Sequence, residues 1–152
     1  MRIDILSDTH GHLSDALLAE IKGADALVHA GDMCSLSDYD VLSHIAPLYM
    51  AKGNNDYGFD YGSFVKNLTH FFLSGLRWQV CHYRERLDLV TCDVAICGHT
   101  HIPFIAHDEK TGTLVMNPGS TTYPRSEEGP TMGRIYCSDK KVESAEIIHL
   151  SA

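Results

Sequence analysis

The stretch Arg2-Ile3-Asp4-Ile5-Leu6-Ser7-Asp8-Thr9-His10-Gly11-His12 sets the pattern for much of the chain. Residues 2–6 carry the apolar side chains Ile3, Ile5 and Leu6 and read as a strand. The turn that follows holds more carboxylate and imidazole than a connector needs. The same grammar recurs three times downstream. The apolar run 26–30 ends in Gly31-Asp32, the run 48–51 leads into Gly53-Asn54-Asn55-Asp56, and the run 94–97 ends in Gly98-His99-Thr100-His101. Between the first three runs lie helical patterns. Leu13, Leu17, Leu18 and Ile21 recur at helical spacing before Gly23, and a second helix starts near Ser37, uses Val41, Leu42 and Ile45, and stops before Pro47. Strand-then-helix units of this kind imply a parallel sheet with right-handed crossovers, whose ligand site lies beyond the carboxyl ends of the strands.

The second half is richer in strands. Residues 57–66 read as a Gly- and Tyr-rich loop with a short helix, and 69–73 and 77–82 as strands joined at Ser74-Gly75. A short helical piece is expected over 84–91, with Leu87 and Val90 on one side. Further strands follow at 94–97, 102–107, 113–116, 133–137 and 142–150, with hairpin turns at 108–112 and 138–141. Residues 123–132, with two prolines, read as a mobile loop. The fold expected is α/β: a four-layer α/β/β/α sandwich of two mixed β-sheets flanked by helices, forming one domain over residues 1–152.

Composition narrows the function classes. With 44% hydrophobic and 21% charged residues, the chain matches ordinary globular proteins. The N-terminal run is too short for a signal peptide, and no apolar run approaches the ~20 residues that span a bilayer. The five cysteines are odd in number and form no CxxC pair, which fits buried thiols in a reducing compartment. A cytoplasmic protein is therefore expected. Its formal net charge of −8 opposes stable binding to duplex nucleic acid or an anionic membrane. A small phosphate-bearing substrate remains compatible, because bound metal would reverse the local sign.

The strand-end residues, with His82 added, offer imidazoles, two carboxylates and one amide oxygen. The set is Asp8, His10, Asp32, Asn54, His82, His99 and His101. Seven ligands exceed what one closed zinc site uses and suit two ions if a carboxylate bridges. Mixed nitrogen and oxygen ligation without thiolate favours Mn²⁺, Fe²⁺, Zn²⁺ or Ni²⁺ over Ca²⁺.

These five stretches, in order, resemble the calcineurin-like metallophosphoesterase superfamily, with its D-x-H, G-D, G-N-x-D/E, H and G-H-x-H pattern. The small size, Met1-Arg2-Ile3, and Asn117-Pro118-Gly119-Ser120 followed by Pro124-Arg125 look closest to its compact prokaryotic phosphodiesterases. The retromer subunit with the same fold is a further relative. The resemblance runs from about residue 3 to residue 137. It implies that Asp8, His10, Asp32 and His101 hold one divalent ion and that Asp32, Asn54, His82 and His99 hold the other. Mn²⁺ is favoured, with Ni²⁺, Zn²⁺, Fe²⁺ or Mg²⁺ as alternatives. Such ions, roughly 3.5–4 Å apart, would lower the pKa of a bridging water and clamp a phosphoryl group for in-line attack.

The sequence departs from the family pattern in two places. Where many relatives carry a leaving-group His after the third-motif Gly-Asn, it has Asn55, which donates a hydrogen bond but transfers no proton near neutral pH. Protonation then falls to His12, to water or to no group at all. After His82, where relatives carry Gly, it has Tyr83-Arg84-Glu85-Arg86. Asn55 and Arg125 are the candidate phosphate contacts, and Asn55 and His12 the candidate catalytic groups. His29 reads as a packed or supporting histidine, and Asp56 either orients a ligand or stabilises its own turn. The expected function is phosphodiester hydrolysis at a dinuclear centre. The alternative is a binding or scaffold module on the same fold. A strand edge or the Tyr-rich loop offers a place for a homo-oligomer contact.

Overall fold

Alternation along the strands divides the apolar side chains between two cores. The computed structural model describes residues 1–150. Its elements are β1 (Arg2–Leu6), α1 (Asp15–Ile21), β2 (Ala26–His29), α2 (Leu36–Ile45), β3 (Leu48–Met50), β4 (Leu68–Leu73), β5 (Leu76–Cys81), β6 (Val94–Ile96), β7 (Phe104–His107), β8 (Leu114–Asn117), β9 (Thr131–Ser138) and β10 (Lys141–His149). One five-stranded sheet has the order β10-β9-β1-β2-β3 and the other β4-β5-β6-β8-β7. Both are mixed. The β1-β2-β3 and β5-β6-β8 pairings are parallel, while β9, β10, β4 and β7 pair antiparallel to their neighbours.

Ile3 and Ile5 of β1 meet Trp78, Val80, Val94, Ile96 and Met116 of the second sheet in the inner core. Leu6, on the other face, packs with Leu17 and Ile21 of α1 and Leu42 of α2. This is the period-2 arrangement of a strand buried on both sides. The outer face of the second sheet carries a smaller cluster of Cys92, Ala95 and Val115, covered by Leu87, Leu89 and Phe104. The four expected layers are therefore present, with a thin fourth one. Among the described residues no helix is long and apolar enough to cross a membrane. The five cysteines are free thiols, four of them buried.

Three expectations need correction. The helix expected from Leu13 starts at Asp15, because the Ser14 hydroxyl accepts from the Leu17 amide at 3.1 Å and fixes the N-cap there. No helix forms within 57–66, where Tyr61 donates to the buried Asp56 and Gly62 turns at a φ of 100°. The helical piece expected over 84–91 is two separate 3₁₀ turns, Arg84–Arg86 and Leu89–Thr91. Gln79 of β5 explains the break. Its amide donates to the Asp88 carbonyl and accepts from the Asp88 amide, both at 2.9 Å, and so removes two groups that a continuous helix would use. Val90 consequently points to solvent while Leu87 is half-buried.

Candidate metal centre

Five strands deliver the candidate ligands from their carboxyl ends: β1 to Asp8 and His10, β2 to Asp32, β3 to Asn54, β5 to His82, and β6 to His99 and His101. The loops are stitched together by backbone bonds, Asp8 N to Gly31 O and His10 N to Asp32 O, both at 2.9 Å. Close approach requires glycine at two of these turns. A Cβ on Gly53 would run into the Asp32 carboxylate, and one on Gly98 into the Ser7 hydroxyl and the Asp8 carboxylate. The left-handed region holds Asp8 (φ 53°), His10 (48°), Asp32 (59°), His99 (72°) and His101 (61°). Strain at five polar residues of one cluster marks a place the surrounding fold holds against local preference.

The side chains form two overlapping sets. Around His82 Nε2 stand Asn54 Oδ1 at 3.0 Å, His99 Nδ1 at 3.3 Å and Asp32 Oδ2 at 3.4 Å. On the other side, His101 Nε2 lies 3.1 Å from Asp8 Oδ1, and His10 Nε2 lies 3.8 Å from both Asp8 Oδ1 and Asp32 Oδ2. Asp8, His10 and His101 could hold one cation, and Asp8, Asp32 and His82 another. Asp8 thus faces both sets, with Oδ1 3.9 Å from His82 Nε2, where the family resemblance gave it to one ion only.

Supporting groups orient the ligands. His82 Nδ1–H donates to the Ala30 carbonyl at 2.8 Å and His101 Nδ1–H to the Tyr123 carbonyl at 2.6 Å. A carbonyl only accepts, so both rings turn their Nε2 lone pairs toward the carboxylates when neutral. His29, fully buried, accepts from the Gly31 amide at Nδ1 (3.1 Å) and donates from Nε2 to the Thr9 hydroxyl (2.9 Å), stapling the first two ligand loops together. Burial pushes its pKa down to about 4, consistent with a neutral ring. Asp56 combines its two expected roles. It accepts from the amides of Asp32, Cys34 and Gly53 at 2.7–2.9 Å and from the Tyr61 hydroxyl at 2.8 Å. Asn117 donates to the Gly98 carbonyl at 3.0 Å, and Ser120 to the Asp8 carbonyl at 2.7 Å, so this turn braces the ligand loops. Ser7, which sequence reasoning passed over, donates to Asp8 Oδ2 at 2.5 Å, and its one signal was adjacency to Asp8.

The electrostatics favour positive charge. Burial raises the Asp8 carboxyl, but His10, His101, His82 and the Ser7 hydroxyl outweigh it and hold Asp8 well below the usual carboxylate range. Asp32 is likewise lowered, against its burial, by His82 and Asn55. Burial opposes charging His82, yet Asp32 and Asp8 raise it; the Asp8 carboxylate 3.1 Å away raises His101 despite burial and the nearby Arg125. Two buried atoms lack any hydrogen-bond partner here, Asp8 Oδ1 and His10 Nε2. An orphaned buried carboxylate oxygen opposite an orphaned imidazole nitrogen fits a divalent cation between them.

The remaining candidates spread out. Asn55 lies against the cluster, donating from its amide to Asp32 Oδ1 at 2.9 Å and from Nδ2 to Asp32 Oδ2 at 3.0 Å. Arg125 is exposed at its rim, its amide donating to the His101 carbonyl at 3.2 Å. His12 is exposed on the first loop, its amide donating to the Thr9 carbonyl at 3.1 Å.

Similarity to known proteins supplies the family. The calcineurin-like phosphoesterase superfamily domain matches residues 1–140. A probable metallophosphoesterase of Methanocaldococcus jannaschii is 33% identical over 137 residues, covering 82% of this chain and 70% of that protein. Two solved structures superpose closely. One, described as a novel archaeal phosphodiesterase, has a TM-score of 0.75 at 23% identity over 97% of this chain and 100% of its own. The other, Vacuolar Protein Sorting 29 (Vps29) of Cryptosporidium parvum, has a TM-score of 0.76 at 17% identity over 99% and 96%. At such identities these two structures establish the fold. The chain belongs to the calcineurin-like phosphoesterase superfamily.

Proposed function

We propose that this chain is a metal-dependent phosphodiesterase acting on a small phosphate ester or nucleotide-like diester through two divalent cations. Asp8, His10, Asp32 and His101 would hold one ion and Asp32, Asn54, His82 and His99 the other, Asp32 being the carboxylate common to both sets. The observation that carries the reading is the pair of orphaned atoms, Asp8 Oδ1 and His10 Nε2, buried side by side within the ligand cluster. The mixed nitrogen and oxygen donors suit Mn²⁺, Fe²⁺, Zn²⁺ or Ni²⁺; Mn²⁺ is our first choice, with Ni²⁺, Zn²⁺, Fe²⁺ and Mg²⁺ as alternatives.

When bound, the ions supply a nucleophile at neutral pH and a clamp for the phosphoryl oxygens. The chain's own residues do the rest. His82 and His101 keep their lone pairs aimed by donating to the Ala30 and Tyr123 carbonyls. Asn55, steadied by Asp32, has a second amide hydrogen free to meet a phosphoryl oxygen. It gives no proton to the leaving group, so substrates whose leaving groups depart unassisted are favoured. Arg125 at the rim attracts the anionic ester.

The test is hydrolysis of bis(p-nitrophenyl) phosphate by metal-stripped protein with Mn²⁺, Ni²⁺, Zn²⁺ or Mg²⁺ added back. It is run beside His99→Ala and beside the monoester p-nitrophenyl phosphate. Metal-dependent cleavage of the diester, weak on the monoester and lost in the variant, is the expected result. Absence of turnover in protein shown by elemental analysis to hold two ions sinks the reading for such diesters. The fold shared with Vps29 then makes a binding or scaffold role the leading alternative.

A further inference from the structure

Beside Asn54 the surface opens into a cleft of about 230 Å³ that includes Lys52, Asn54, Asn67, Tyr83 and Arg86 in its walls. No aspartate or glutamate lines it, in a protein of formal net charge −8. Two of its walls are fixed. The Arg86 guanidinium lies 4.7 Å above the Tyr83 ring, and that ring packs 4.8 Å from the ring of His99. The Lys52 amide is tied to the Lys66 carbonyl at 2.9 Å, where residues 51 and 66 bridge. Asn54 belongs to both places: it lines the cleft, and its Oδ1 sits 3.0 Å from His82 Nε2. A doubly cationic cleft thus continues directly from the candidate metal cluster.

The chemistry of departure gives this cleft a use. An alkoxide needs a proton to leave, and neither Asn55 nor any cleft residue offers an imidazole or a carboxylic acid. A phosphate leaves with its own negative charge, and cations rather than an acid stabilise it. We propose that the cleft of Lys52 and Arg86 binds the departing phosphate of a phosphoanhydride, so that this chain cleaves pyrophosphate diesters of the dinucleotide type. The proposal rests on the phosphodiesterase reading above and names its substrate class. In the step, the water oxygen bonds to one phosphorus as the P–O bond to the bridging oxygen breaks. The electron pair stays on that oxygen, now part of the second phosphate, and the water's proton passes to solvent. Asn67 and the Tyr83 hydroxyl are placed to hydrogen-bond the same phosphate or the ribose beyond it.

The test compares diadenosine diphosphate, read as release of two AMP, with bis(p-nitrophenyl) phosphate. Metal-loaded wild type, Lys52→Met, Arg86→Met and the double variant are measured. Lys52 is half-buried and Arg86 exposed, so the variants keep the fold. The double variant's kcat/KM on the anhydride is expected to fall roughly ten-fold or more beyond any fall on the aryl diester, since charge-assisted phosphate contacts are lost. Binding of α,β-methylene-ADP, measured by calorimetry, weakens by a similar factor. Equal losses on both substrates, or an unchanged anhydride rate with unchanged analogue binding, overturn the proposal. Wild type that cleaves the aryl diester but not the anhydride removes this inference and leaves the phosphodiesterase reading standing. Wild type that cleaves neither removes that reading. In that case, weakened analogue binding in the double variant still supports a phosphate site in the cleft, and unchanged binding removes it.

Discussion

Asp4 and Asp8 leave the same strand four residues apart, and both are fully buried. Asp4 is enclosed by guanidinium groups: Arg2 donates to it at 2.7 Å and 3.2 Å, and Arg134 at 2.8 Å and 3.3 Å. Arg134 turns its other donors to the side chain and carbonyl of Glu20 at the end of α1, so this network is saturated. Asp8 instead faces imidazoles, and one of its oxygens has no partner. A guanidinium never gives up its proton, so nothing can replace it beside Asp4. An imidazolium releases its proton near neutral pH and makes way for a metal ion. One end of β1 uses buried charge to hold the fold, the other to receive a ligand.

Asp8→Asn draws this contrast most sharply. It removes a ligand of one proposed ion, one that also faces the second set, and metal-dependent hydrolysis is expected to drop by roughly 10²–10³-fold or more. Elemental analysis will show less bound metal. Under chelator, its melting temperature falls by less than that of Asp4→Asn.

Asp4→Asn reverses the pattern. It leaves Arg134 buried beside a neutral amide, at a cost of about 3 kcal/mol. This is the low end for such a break, because Glu20 still pairs with the guanidinium. The melting temperature drops by roughly 10 °C, given the response of domains this size. Metal per folded molecule and kcat stay at wild-type levels. Loss of metal in Asp4→Asn would erase the distinction between the two ends.

pH separates the ends next. The carboxylates raise His82 and His101 above the ordinary histidine value of 6.5, and a cation needs both rings neutral. Metal affinity is therefore full well above neutrality and weakens as pH falls through these raised values. Each displaced proton contributes about 1.4 kcal/mol per pH unit. In the metal-free protein the same two groups act in reverse. Their stabilisation is fully present below pH 6.5 and is lost as pH rises through the folded values. The gap in melting temperature between metal-loaded and stripped protein should widen from pH 6 to pH 8. The Arg134 guanidinium, held further above its usual range by Asp4, keeps its charge throughout.

The smallest effect belongs to Arg2→Met. Arg2 is partly exposed and Arg134 remains on Asp4, so about 1 kcal/mol is lost in denaturant melts, with hydrolysis unchanged.

The two ends also differ in how far sequence exposes them. The ligand end is written locally, as an apolar run followed at once by Asp, Asn or His, and a β-strand delivers its next residue to the sheet edge whatever else happens. The Asp4 network joins residues 130 positions apart through the antiparallel pairing of β9 with β1. In Ile3-Asp4-Ile5, Asp4 looks like the solvent-facing member of an alternating strand, and only the packing of α1 and the arrival of Arg134 bury it. Contacts across shorter stretches, which no local pattern announces either, hid the break over 84–91, where Gln79 captures Asp88 nine residues on, and the cleft that places Asn67 near Arg86. Helix starts were misread by a residue or two, because serine hydroxyls rather than the apolar pattern decide where the first amides are satisfied.

The left-handed backbone at Asp8, His10, Asp32, His99 and His101 has a consequence on an evolutionary timescale. An L-residue there costs on the order of 1–2 kcal/mol, a cost glycine avoids and asparagine softens. Selection for the ligand holds the side chain in place against that pull. A lineage released from metal binding would drift toward Gly and Asn at these five positions while its apolar strand runs stayed intact, and the loss of its chemistry would be recorded as a pattern of relaxed turns.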